Sequence, residues 1–196
     1  MLRASHHRGV IALCLLVMSA CSVMYAQDSK PVEYTATATS TQEETRGQMY
    51  NVTIIIDSFS PTDQTQELIN AFESGGNKAL TAKLLKYPSR GHISVAGSGN
   101  NVGYTIVYAR KIAMPDGSTK IRLITNTPMN MANSFNTQNL QNTFSGAILD
   151  ISPTKKKSSG QLIEAAELQY DKQKKLELGL EGARPWTLGN ISEREK

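Results

Sequence analysis

The chain has 196 residues, 39% of them hydrophobic, with 21 basic and 17 acidic side chains and a formal charge of +4. That suffices for one domain of ordinary size with its own core, and it excludes a disordered, highly charged tail. Two cysteines and three histidines leave little material for disulfides, thiol chemistry or a zinc site of the usual ligands.

The first 26 residues read as a signal peptide. Arg3 and Arg8 form a positive start, Val10 to Met18 is an unbroken apolar run, and small residues follow. The run is too short to span a bilayer. Ser19-Ala20-Cys21 resembles a bacterial lipobox, with Met18 where leucine is preferred, so Cys21 is a candidate for lipid attachment. Cleavage would remove Cys14, His6, His7 and two of the 21 basic residues, leaving the mature chain near +2. An exported domain of that charge is not expected to bind nucleic acid, and its contact with a membrane would be through a lipid anchor. The expected location is outside the cytoplasm, periplasmic or secreted.

Residues 27–47 are polar, with a Thr/Ala alternation over Tyr34–Thr41 and little to bury, and read as a flexible tether. Residues 48–196 then form a single β-rich domain. Met49 to Ser60 is a strand in which Val52, Ile54 and Ile56 alternate with Thr53, Ile55 and Asp57. Ser60-Pro61-Thr62-Asp63 should start a helix, with Ser60 as N-cap and Pro61 at the first helical position. Leu68, Ile69 and Phe72 form its apolar stripe, and Gly75-Gly76 ends it. Asn77 can cap a second helix carrying Leu80, Leu84 and Leu85, which Pro88 stops. The expected product is a helical hairpin inserted between strands and covering one open end of the sheet.

From Gly91 the chain reads as an antiparallel meander. The clearest unit is the hairpin Val102–Thr127, turning at Met114-Pro115-Asp116-Gly117-Ser118 through a three-residue loop with Gly117 in the left-handed region. Pairing Met114 with Ser118 sets Tyr108 opposite Ile124, Arg110 opposite Arg122 and Ile112 opposite Lys120 on one face. The other face, with Val107, Ala109, Leu123 and Ile121, reads as core. A polar stretch over Met129–Asn142 follows, then strands at Thr143–Ile151, Gln161–Tyr170, Leu176–Leu180 and Thr187–Ile191. The fold class is α+β: a mainly antiparallel β meander of about eight strands, curled or barrel-like, with a two-layer sandwich as the alternative.

Val52–Ser58, Tyr87-Pro88-Ser89-Arg90-Gly91, Gly103–Arg110, Lys120–Thr127 and Pro185-Trp186 resemble stretches of an uncharacterised family of exported bacterial proteins. The resemblance covers most of the mature chain, and it brings no activity and no site residues with it.

Candidate chemistry is sparse. His92, the one histidine of the mature chain, follows Gly91 at a strand start and suits a solvated structural role better than a triad. The loop Gly97–Gly103 lacks the Lys-Ser/Thr ending and the following helix of a phosphate loop. Lys155–Lys157 and Lys172–Lys175 lie in turns at opposite ends of one strand and cannot form one patch. No catalytic residue, metal site or cofactor is expected.

Arg110, Arg122 and Tyr108 remain, sharing one face of the hairpin. Paired guanidiniums repel unless an anion lies between them, and they offer bidentate donors to a planar acid. The plainer alternative is a solvated surface on which acids of a neighbouring strand, such as Asp150 or Glu164, neutralise both. The expected function is therefore a non-enzymatic exported binding module for a small amphipathic or anionic ligand, in the barrel mouth or under the helices. The alternative is an envelope structural or interaction protein that binds another macromolecule.

Overall fold

The computed structural model describes residues 30–96, 102–131, 144–152, 157–170, 176–179 and 185–195. In chain order the elements are β1 (Val32–Ser40), β2 (Met49–Ile56), α1 (Thr62–Leu84), β3 (Gly91–Ala96), β4 (Val102–Ala113) and β5 (Thr119–Thr125). They are followed by β6 (Phe144–Ile151), β7 (Ser159–Tyr170), β8 (Leu176–Gly179) and β9 (Pro185–Glu195). The sheet order is β6-β5-β4-β3-β2-β1-β9-β7-β8, and a further pairing of β6 with β7 closes it. The result is an eight-stranded antiparallel barrel, with β8 attached to the far end of β7. Closure removes the open edges that a curled sheet would leave.

Alternation builds the interior. Val52, Ile54 and Ile56 of β2, Ile93 and Val95 of β3, Ile121 and Leu123 of β5, and Trp186 and Leu188 of β9 point inward and are buried. Three ladder irregularities, between Thr35 and Thr37, between Ile106 and Tyr108, and between Phe144 and Gly146, add the local bend that a small barrel needs. Gly91 permits the closest approach. At φ +141 it faces Ile56, and a Cβ there would lie 2.0 Å from the Ile55 carbonyl oxygen.

The hairpin register is as expected: Tyr108 opposes Ile124, Arg110 opposes Arg122, and Ile112 opposes Lys120. Met114 N–H donates to Ser118 O (2.9 Å), Gly117 N–H to Met114 O (3.0 Å), and Gly117 has φ +80. One shift departs from the expectation. Ile106 takes the place of Val107 opposite Thr125, so Val107 is the bulged residue and packs outside the barrel with Tyr108.

Three other expectations are corrected. The stretch read as a tether contains β1, which pairs with β2 along one edge and β9 along the other. Its inward residues are Tyr34, Ala36, Ala38 and Ser40, too small on average to give an apolar signal but well sized for a crowded barrel wall. The helix cap is also different. Pro61 occupies the cap position, and Ser60 instead bonds β4, its N–H donating to Ala109 O (2.7 Å) and its Oγ accepting from Ala109 N (3.1 Å).

The third correction concerns the helices. Two joined as a hairpin were expected; α1 consists of two helical segments that meet at a kink where Gly75 and Gly76 leave helical geometry. A straight helix would hold residues 67 and 83 about 24 Å apart. Here Lys83 Nζ lies 2.8 Å from Glu67 Oε2, and the Tyr87 hydroxyl donates to the same oxygen at 2.8 Å. Nor does α1 cover an end of the barrel. Leu68, Leu80 and Leu84 pack on the outer side of β4 to β7, against Val107, Tyr108, Ile124, Phe144, Ile163 and Ala166. That outer face offers a second apolar surface because Tyr108, Ile124 and Phe144 point away from the interior, and a helix is what buries it.

Candidate functional site

The arginine pair lies on the outer wall. Arg110 and Arg122 oppose each other directly and both are half-buried. Tyr108, two residues along, is buried beneath α1, and its hydroxyl lies 3.0 Å from Thr65 Oγ1. It is therefore part of the packing under α1, which leaves the two half-buried arginines as the charged groups of that row. Asp150 approaches Lys120 (3.7 Å), its own ladder partner. Glu164 is fully buried, and its Oε1 accepts from Met131 N. Among the described residues Arg110 makes no hydrogen bond or ion pair.

Arg122 opposes Ile148 on its other side, and from there the outer wall dips into a groove of about 370 Å³. Ile148 and Gly160 contribute its apolar floor. Lys120, Asp150, Ser159, Gln161 and Thr187 supply a cation, an acid, two hydroxyls and an amide. The pattern places three cations, Arg110, Arg122 and Lys120, on adjacent positions of two neighbouring strands beside one acid. A local excess of positive charge over a groove with hydrogen-bonding walls suits a small anion carrying further polar groups.

A second constellation was not anticipated. Tyr104, Thr125, Ser145 and Glu164 come from four consecutive strands, β4 to β7, and together hold the segment Asn126–Met131. Thr125 Oγ1 donates to Thr127 O (2.7 Å), and Ser145 Oγ accepts from Met129 N (2.6 Å) while donating to the Glu164 carbonyl. Tyr104 is hydrogen-bonded to the Asn130 backbone, and Glu164 Oε1 accepts from Met131 N at 2.5 Å. Glu164, Ser145 and Thr125 are fully buried. Burial pushes the Tyr104 hydroxyl above the ordinary tyrosine value, opposed by the Asn130 bond and assisted by the Glu164 charge. The sequence signal was the acid inside the apolar run Leu162-Ile163-Glu164-Ala165-Ala166. A bulge places Glu164 and Ala165 opposite Ser145 alone, and bulges of this kind re-aim a side chain.

The other candidates contribute little. His92 is exposed on β3. A smaller groove beside α1 is lined by Pro61, Asp63, Gln64, Glu67, Tyr87 and Arg90. There Glu67 is held below the usual carboxylate range by its bonds from Lys83 and Tyr87, while burial and Glu67 push the Tyr87 hydroxyl up. Cys21, the loop at 97–101 and most of the two lysine-rich turns lie outside the described residues. Among the described residues no group of three or more His, Cys, Asp or Glu could hold a metal, and no helix is long and apolar enough to cross a membrane. Comparison with protein-family models, with curated proteins and with solved structures finds no match.

Proposed function

We propose that this chain is a non-enzymatic exported binding module whose ligand is a small anion, held on the outer barrel wall by Arg110 and Arg122. The observation that carries the reading is the cross-strand guanidinium pair, with Arg110 open to an incoming group and the polar groove beginning one strand away. Two like charges opposed on a sheet repel, and an anion between them converts that repulsion into two charge-assisted bonds. Export belongs to the same proposal and rests on the order of charge, apolar run and small residues in the first 26 positions, and membership of a family of exported bacterial proteins rests on the resembling stretches between Val52 and Trp186.

An anion that binds only the folded state raises its stability by mass action. Phosphate, sulfate or a carboxylic acid should therefore raise the melting temperature beyond a chloride control of equal ionic strength. Arg110→Gln should abolish the increment while leaving the fold intact. If the substitution destabilises the protein by about 1 kcal/mol or more, the scale of a lost hydrogen bond, and no anion has any effect, Arg110 is a structural residue and the reading fails.

The second reading is an envelope protein that binds another macromolecule. It is favoured by one feature, the ribbon of β7 and β8, which continues past the last pairing of β7 with β6 at Ala166. Such a ribbon offers backbone groups to an added strand.

A further inference from the structure

Nearly all of the barrel's interior core is supplied by strands. Among the described residues, Met129 and Met131 are buried in it from a segment that is not a strand, and Phe59, also outside the strands, packs against it partly buried. Asn126–Met131 joins the sheet, among the described residues, through one backbone bond, Asn126 N–H to Thr105 O (3.1 Å). It is otherwise held by the side chains of Tyr104, Thr125, Ser145 and Glu164. Two adaptable thioether side chains thus finish a core that rigid, β-branched residues build elsewhere. The carboxylate that helps hold them is fully buried, a costly choice unless the group has a directed partner.

We infer that Asn126–Met131 is a displaceable stopper, and that the barrel interior behind it is a second binding site, for a single apolar chain bearing a hydrogen-bond-donating head group. The donors follow from what the stopper presents. Met129 and Met131 offer N–H groups to Ser145 and Glu164, so a replacement must bring N–H or O–H groups to the same oxygens. The two methionine side chains define where its apolar tail would go. A long-chain amine or alcohol meets both demands. A long-chain carboxylate does not, because it would set a second negative charge beside Glu164. This site lies inside the barrel and is independent of the arginine pair on its outer wall.

The chain's single tryptophan makes the test direct, because Trp186 is fully buried in the same interior. Brominated long-chain amine, alcohol and carboxylic acid of equal length, kept below their micelle concentrations, should be titrated into the folded protein while Trp186 fluorescence is read. The amine and the alcohol should quench saturably, the amine at least tenfold more tightly than the acid. Glu164→Gln keeps the acceptor and removes the charge, so it should reduce the amine's advantage over the acid several-fold. Amide hydrogen exchange at Met129 and Met131 on the wild-type protein supplies a reading that needs no variant. It should be faster than at Ile54 and should change on addition of the amine. Absence of quenching by all three probes, or exchange at Met129 and Met131 as slow as at Ile54, would overturn the inference. Equal quenching by amine and acid would overturn the assignment of the head group.

Discussion

Replacing Leu68 by alanine tests whether α1 is a structural part of the domain or a loosely attached cover. Leu68 is 0% exposed and packs in the outer cluster with Leu80, Leu84, Tyr108, Ile124 and Phe144. Truncating a leucine in such a setting removes its transfer free energy and leaves a space that neighbours on a closed barrel wall cannot collapse to fill. The expected cost is about 3–4 kcal/mol. For a domain of this size that corresponds to a melting temperature lowered by roughly 6–16 °C. Leu85, next to the end of the helix and 59% exposed, serves as the control, and its alanine variant should lie within about 0.5 kcal/mol of wild type. Phe72 is only half-buried and should fall between the two. Urea denaturation followed by far-UV circular dichroism gives all three values. If Leu68→Ala costs less than about 1 kcal/mol, the helix is not integrated with the barrel, and the outer cluster described above does not stabilise the fold.

Other expectations concern backbone, hydrogen bonding and pH. Gly91→Ala introduces a Cβ 2.0 Å from the Ile55 carbonyl oxygen at φ +141, so it should lose soluble folded protein or shift the denaturation midpoint by more than any surface substitution. Tyr108→Phe removes the bond to Thr65 Oγ1 and should cost about 0.5–1.5 kcal/mol by the same denaturation assay, without altering the anion response. Burial raises the hydroxyls of Tyr34, Tyr87 and Tyr104, with Glu193 adding at Tyr34 and Glu67 at Tyr87. A folded-state value raised above the unfolded one contributes stability that is fully present below about pH 10, the ordinary tyrosine value, and is lost as pH rises past it. Thermal unfolding between pH 9 and 12, with tyrosinate absorbance recorded in parallel, should therefore show stability falling above pH 10 and tyrosines ionising late.

The parts of the fold that were legible in the sequence are those set by local chemistry. The turn Met114–Ser118 dictates its register through Pro115 and Gly117, and every pairing from Tyr108 with Ile124 to the turn follows from it. The inward set of β2 is legible because large β-branched residues alternate there. β1 is not, since its inward positions are mostly alanine, and what makes it a strand is the pair of neighbours waiting on either side. Strand count alone was an incomplete guide. Eight strands were expected and eight close the barrel, yet β1 belongs to it and β8 lies outside. The opposition of Arg110 and Arg122 could be read from the hairpin, but the orientation of Glu164 could not. Its direction depends on a bulge against β6, a non-local feature with no turn residue to announce it. For the same reason the segment carrying Met129 and Met131, polar in composition, gave no sign that it finishes the core.

The central claim is that Arg110 and Arg122 act together on one anion, and the most direct measurement watches both guanidiniums at once. In a titration of ¹⁵N-labelled protein with inorganic phosphate at constant ionic strength, the Nε–Hε resonances of Arg110 and Arg122 should move together and saturate with one dissociation constant. Those of Arg46 and Arg90, elsewhere on the molecule, should stay in place. Shifts that grow linearly without saturation at all four arginines, or none at Arg110 and Arg122, would contradict the account.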